Sequence, residues 1–138
     1  MKNYIILFTP EIDGNKLYSV ITKEVCDTKS LELERCYDLI DCRLIDIHTV
    51  CDGNLLLIFD DEFLLSHIPV PNVMASQLDR CVLCGKVILC QTNNDGECVP
   101  FTEAEADLLI SLLKRIQGNI VASLGKDDEN GEAIRAGS

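Results

Sequence analysis

The chain has 138 residues, of which 47% are hydrophobic, and a net charge of −11. The length suits one domain with one core, and the apolar fraction excludes a wholly disordered chain. The acidity opposes general nucleic-acid binding, which rests on Lys and Arg at the phosphates. The elements read as follows. Asn3 to Thr9 is an apolar strand stopped by Pro10. An Asp13-Gly14 turn leads to a second, alternating strand from Lys16 to Glu24, hairpinned to the first. Oxygens of Asp27 to Ser30 can start a helix over Leu31 to Ile40, where apolar residues recur at 33, 36, 37 and 40. Arg43 to Val50 alternates, Cys51-Asp52-Gly53-Asn54 turns, and Leu55 to Phe59 is a continuous apolar strand.

Phe63 to Pro71 reads as loop, and Asn72 as the cap of a short helix, Val73 to Leu78. Arg80 to Thr92 is the longest well-bounded apolar run. It reads as a buried central strand in which Gly85 marks a bulge or a close backbone approach. After Glu97 to Phe101, Thr102 and Glu105 form a capping box. The helix behind it carries the stripe Leu108, Leu109, Leu112, Leu113 and Ile116, with Gly118 as a weak point or an end. The whole predicts a single α+β domain over 1–124. Its sheet is mixed but mostly antiparallel, with the helices on one face. Residues 125–138 are expected to be a disordered acidic tail.

No apolar run reaches the ~18 residues of a membrane span. The opening residues lack the apolar core and cleavage pattern of a signal peptide, so a cytoplasmic protein is expected. Eight cysteines then read as buried thiols rather than as a disulfide framework. Cys81-x-x-Cys84 is half a zinc motif without its second half, and residues three apart on a strand point to opposite faces. No metal and no cofactor are expected. The charge is uneven: Glu24 to Glu62 alone carries −8. Asp60, Asp61 and Glu62 are its densest point, a candidate acidic face for a protein partner.

Between Cys42 and Leu113 the chain carries an acidic cluster after an apolar strand (Asp60 to Glu62) and a Pro-x-Asn element (Pro69 to Asn72). A strand with an internal glycine (Cys84-Gly85-Lys86) and a Thr-led last helix (Thr102 to Asp107) follow. In these it resembles an uncharacterised family, domain of unknown function 3846, of bacteriophages, plasmids and Gram-positive mobile elements. The resemblance implies no reaction and supplies no catalytic residues. It implies a phage or mobile-element setting, in which small acidic proteins counter host defences.

No phosphate-loop motif is present. Arg80, Lys86, Asn72, Ser76 and His67 are the candidate contacts for a small anionic ligand, with the amino end of the Asn72 helix as a further donor. The expected function is a non-enzymatic binding protein. It would sequester a nucleotide-derived immune signal or a host defence protein, without membrane or direct nucleic-acid contact, and a homo-oligomer would be unsurprising. Two other readings are an acidic DNA mimic acting on a restriction or DNA-processing enzyme, and a small hydrolase using His67 beside a carboxylate.

Overall fold

Alternation with a glycine at the turn makes the first hairpin. In this computed structural model, which describes residues 2–63 and 69–129, β1 (Asn3–Asp13) pairs antiparallel with β2 (Lys16–Val25), Asp13 opposite Lys16. The two-residue loop begins with Gly14 at φ 62, the left-handed first position of a type II′ turn. β1 does not stop at Pro10 but runs three residues past it. Pro10 lies opposite Ser19, whose own N–H and C=O face away from β1 toward Gln117. Pairing on the other side of β1 ends at Phe8–Val87. The missing proline N–H is therefore needed by neither neighbour.

α1 (Leu33–Ile40) is short, and Asp41 ends it in the left-handed region at φ 61. The second hairpin joins β3 (Ile45–Val50) to β4 (Leu55–Asp60) through Cys51 to Asn54, where Cys51, Asp52 and Gly53 all have positive φ. α2 (Val73–Asp79) follows and then β5 (Val87–Thr92), which is central as expected but starts seven residues after Arg80. β6 (Cys98–Val99), β7 (Phe101–Thr102) and α3 (Glu103–Glu129) complete the chain. The Thr102–Glu105 capping box forms in both directions, at 2.9 and 3.2 Å.

The main sheet order is β2-β1-β5-β4-β3, and every described pairing is antiparallel. β5 meets β1 over only three pairs, Ile6–Leu89 to Phe8–Val87, and the two strands part at each end. At one end β6 pairs with β5 and β7 with β1, filling the gap. At the other end the gap is bridged by the side chain of Asn72.

Strand alternation sends one set of side chains to each face, and both faces are covered. Ile6, Phe8, Leu57, Phe59, Val87 and Leu89 pack under α2 and α3 with Met74, Ala75, Ala106 and Leu113. Ile5, Leu7, Leu56, Ile58, Ile88 and Cys90 pack under α1 with Cys36 and Ile40. Each such aliphatic side chain fully withdrawn from water contributes about 1.5–3 kcal/mol. The α+β class and the single domain stand, but the helices lie on both faces rather than one. The cause is local: Leu55 to Phe59 and Val87 to Cys90 are apolar at every position, so each face needs cover. α3 also passes both Gly118 and Gly125 and continues to Glu129, beyond the expected boundary at residue 124. The remainder of the expected tail lies outside the described residues. No helix among the described residues is long and apolar enough to cross a membrane.

Candidate functional site

A cavity of about 300 Å³ opens where β1 outruns β5. Its walls come from distant parts of the chain: Thr9 and Pro10 on β1, Ile40 and Asp41 at the end of α1, and Asp60 and Phe63 after β4. Pro69, Val70 and the Cys84-Gly85-Lys86 turn complete it. That turn is pinned to the proline segment by Gly85 N–H to Val70 O at 2.9 Å, Asn72 N–H to Leu83 O at 2.7 Å and a Pro71–Cys84 bridge. Gly85 sits at φ 80 with open space where a Cβ would stand, so glycine is required by the backbone and not by crowding. The left-handed turn brings exposed Lys86 to the rim.

The charges of the cavity oppose one another. Among the described residues Lys86 is its cation, and Asp41 and Asp60 are its anions. The Asp60 carboxylate accepts the Glu62 N–H at 2.8 Å, which holds it in place. Asp41 is held by its own N–H on Tyr37 O. Pro10, Ile40, Phe63, Pro69 and Val70 supply apolar wall. Burial raises the pKa of the Cys84 thiol, keeping it neutral and poorly nucleophilic.

The expected ligand contacts do not gather here. Of the five, Lys86 lines the cavity. Arg80 is the exposed left-handed cap of α2. Asn72 is fully buried with its amide fully occupied. Its Nδ2 donates to Phe8 O at 3.0 Å and Gly85 O at 2.8 Å, and its Oδ1 accepts from Ser19 Oγ at 2.6 Å and Ala75 N–H at 3.2 Å. Ser76 Oγ donates to Leu83 O and accepts from Leu83 N–H. Asn72 and Ser76 thus tie the molecule together and present nothing to a ligand. His67 lies outside the described residues. Of the acidic trio, Asp60 lines the cavity, Asp61 donates its N–H to Leu44 O, and Glu62 meets Arg43 at 3.3 Å in an exposed, weak pair.

His48 was not marked by any motif. Its Nδ1 lies 3.0 Å from both carboxylate oxygens of Asp79, whose side chain is 7% exposed. Its Nε2 is 3.5 Å from Asp46, and its ring meets Phe59 edge-on at 4.7 Å. The alternation of β3 places Asp46 and His48 on one face, but Asp79 comes from α2 and is joined only by the fold. This pair fastens the outer strand to α2 and does not line the cavity.

Cys81 is exposed and Cys84 buried. Among the described residues no group of three or more His, Cys, Asp or Glu side chains is placed to hold a metal ion. Comparison with curated proteins and with solved structures gives no match. A family model does match, over residues 12–116, which spans most of the chain and every described cavity residue except Thr9 and Pro10 on β1. The chain belongs to that family, described as Domain of unknown function (DUF3846).

Proposed function

We propose that the protein is a binding protein for a small nucleotide-type ligand carrying one phosphate, held in the cavity between Lys86 and the Asp41–Asp60 pair. The observation that carries this reading is that, among the described residues, Lys86, Asp41 and Asp60 line one cavity of about 300 Å³ together with the apolar Pro10, Phe63 and Pro69. That volume is at the small end for ligand sites, the scale of one nucleotide unit. Lys86 is the partner for the phosphate, and the carboxylates accept from ribose hydroxyls or base N–H groups. Pro10, Phe63 and Pro69 offer flat apolar surface to the base. The two carboxylates disfavour a polyphosphate, since each further negative charge would face them. The neutral thiol of Cys84 suits a wall that packs on its ligand rather than attacking it. In a phage or mobile element, such a protein would act by sequestering a nucleotide-derived defence signal.

Thermal unfolding with nucleoside 5′-monophosphates, 3′,5′-cyclic mononucleotides and cyclic dinucleotides tests the reading. A ligand present at a hundredfold over its Kd stabilises the folded state by about 2.7 kcal/mol. The expected result is stabilisation by a single-phosphate probe that Lys86→Ala abolishes and Arg80→Ala leaves intact. No stabilisation by any probe at millimolar concentration, or stabilisation that survives Lys86→Ala, would overturn the assignment.

A further inference from the structure

The face of the sheet under α1 gathers five of the eight cysteines. Cys26, Cys36 and Cys90 are buried in its core cluster, and Cys42 and Cys98 pack against it, partly buried. Two of them are neighbours by register. Thr92 on β5 lies directly opposite Cys98 on β6, so Cys90, two residues back, is on the same face and diagonal to Cys98. The β6 ladder is only two residues long and ends at Pro100, the residue that would face Cys90. Diagonal positions in an antiparallel pair stand about 7–8 Å apart at Cα. A disulfide spans about 4.4–6.8 Å, so closure asks this short, proline-ended ladder to move by about 1 Å.

A second cavity of about 350 Å³ is bounded by Val25 to Thr28, Leu31, Glu32 and Arg35. Leu31 in its wall donates its N–H to Cys98 O at 2.7 Å, and Cys98 is itself only partly buried. Arg35 supplies a cation there, with its guanidinium on Val25 O.

We propose that Cys98 and Cys90 form a thiol–disulfide exchange site, which takes a low-molecular-weight disulfide of the oxidised-glutathione class and closes into an intramolecular disulfide. The Cys98 thiolate attacks one sulphur of the small disulfide. That S–S bond breaks, a mixed disulfide forms on Cys98, and the first small thiolate leaves and takes up a proton. Cys90 then gives its proton to solvent and attacks Cys98 Sγ, expelling the second small thiol. Two protein thiols are oxidised and one small disulfide is reduced to two thiols. The roles follow from the surroundings. The neighbouring Cys90 thiol draws the pKa of Cys98 down to about 7, against burial, while Cys98 and burial drive Cys90 up. Cys98 is thus the attacking thiol and Cys90 the resolving one.

The test is to treat the full chain with oxidised glutathione at pH 7 and map its peptides without reduction. The expected product is a Cys90–Cys98 linked peptide, a mass lower by two hydrogens and no retained glutathione. Cys90→Ala should stop at the mixed disulfide and keep one glutathione on Cys98, and Cys98→Ser should prevent both outcomes. On the untreated wild type, alkylation at pH 7 should modify half-buried Cys98 severalfold faster than exposed Cys51 or Cys81. Oxidation confined to Cys51 and Cys81, or a linked peptide in which Cys36 replaces Cys90, would overturn the proposal. Because the wild-type peptide map decides this alone, a poorly folded Cys90→Ala does not shield it.

Discussion

The side-chain amide of Gln117 closes on both main-chain groups of Ser19: Ser19 N–H donates to Oε1 at 2.7 Å, and Nε2 donates to Ser19 O at 2.8 Å. This is the pattern a neighbouring strand would make, supplied by one side chain of α3 to the outer strand β2. Gln117→Ala should cost about 1–2 kcal/mol, two net hydrogen bonds in a partly buried place. Urea unfolding checks the loss, and hydrogen exchange should show the Ser19 amide deprotected ahead of its neighbours. Gln117→Glu keeps the acceptor but sets a carboxylate against Ser19 O, and should cost more than the alanine.

Asn72 separates a binding role from a structural one. Four polar groups of the interior depend on its amide, and it also caps α2. Asn72→Ala should destabilise by about 3 kcal/mol, a lost cap together with buried groups left unpaired. Asn72→Asp should be worse, because a carboxylate would face the Phe8 and Gly85 carbonyls. A variant that unfolds at the wild-type denaturant midpoint would show the hub to be dispensable.

His48 and Asp79 should couple. Removing His48 leaves a carboxylate that is 7% exposed without its ring partner, at a cost of about 2 kcal/mol. In a double-mutant cycle with Asp79→Asn, the interaction energy should exceed the roughly 0.5 kcal/mol found for independent sites. Lys86→Ala, at the cavity, should add to either change without coupling.

Alkali should unfold the protein early. Burial pushes the thiols of Cys36 and Cys42 up to about 12 and about 11 from 9.0. Hydrogen bonds to Glu103 and Asp107 raise Tyr4 and Lys23 from 10.0 and 10.5. Groups with raised values stabilise the fold fully below their ordinary pKa, and that contribution is lost as pH climbs through the raised one. Cys98, lowered to about 7, runs the other way, its contribution present above pH 9 and lost as pH falls through 7. The expected Tm profile therefore falls from pH 9 toward 12, and Cys36→Val should flatten that limb. A Tm unchanged to pH 11 would contradict the burial of these thiols.

Much of the framework could be read directly because its causes are local. The Asp13-Gly14 and Asp52-Gly53 turns, the Asn72 cap and the Thr102–Glu105 box each depend on residues within a few positions, and each forms where expected. Pro10 misled because its tolerance depends on where β5, about eighty residues on, stops pairing with β1. Helices on both faces are harder to read, because the uniformly apolar β4 and β5 do not show in sequence that each of their faces needs cover. The cavity was the least legible part. Its walls come from five separate segments, and a donor-rich stretch such as Asn72 to Ser76 looks the same in sequence whether its polar atoms meet a ligand or the protein's own backbone.

The place of β5 also bears on how the chain folds. Two hairpins, β1–β2 and β3–β4, close through short loops and can form without the rest of the molecule. β5 must then enter between them, pairing with β1 across about eighty residues of chain, and the cost of closing that loop is met before its contacts form. Docking of β5 is therefore the slow step, and Leu89→Ala should slow refolding while Leu17→Ala mainly speeds unfolding. Until it docks, each hairpin offers a bare inner edge, so the interval before β5 arrives is when the chain is most exposed to pairing with another copy of itself.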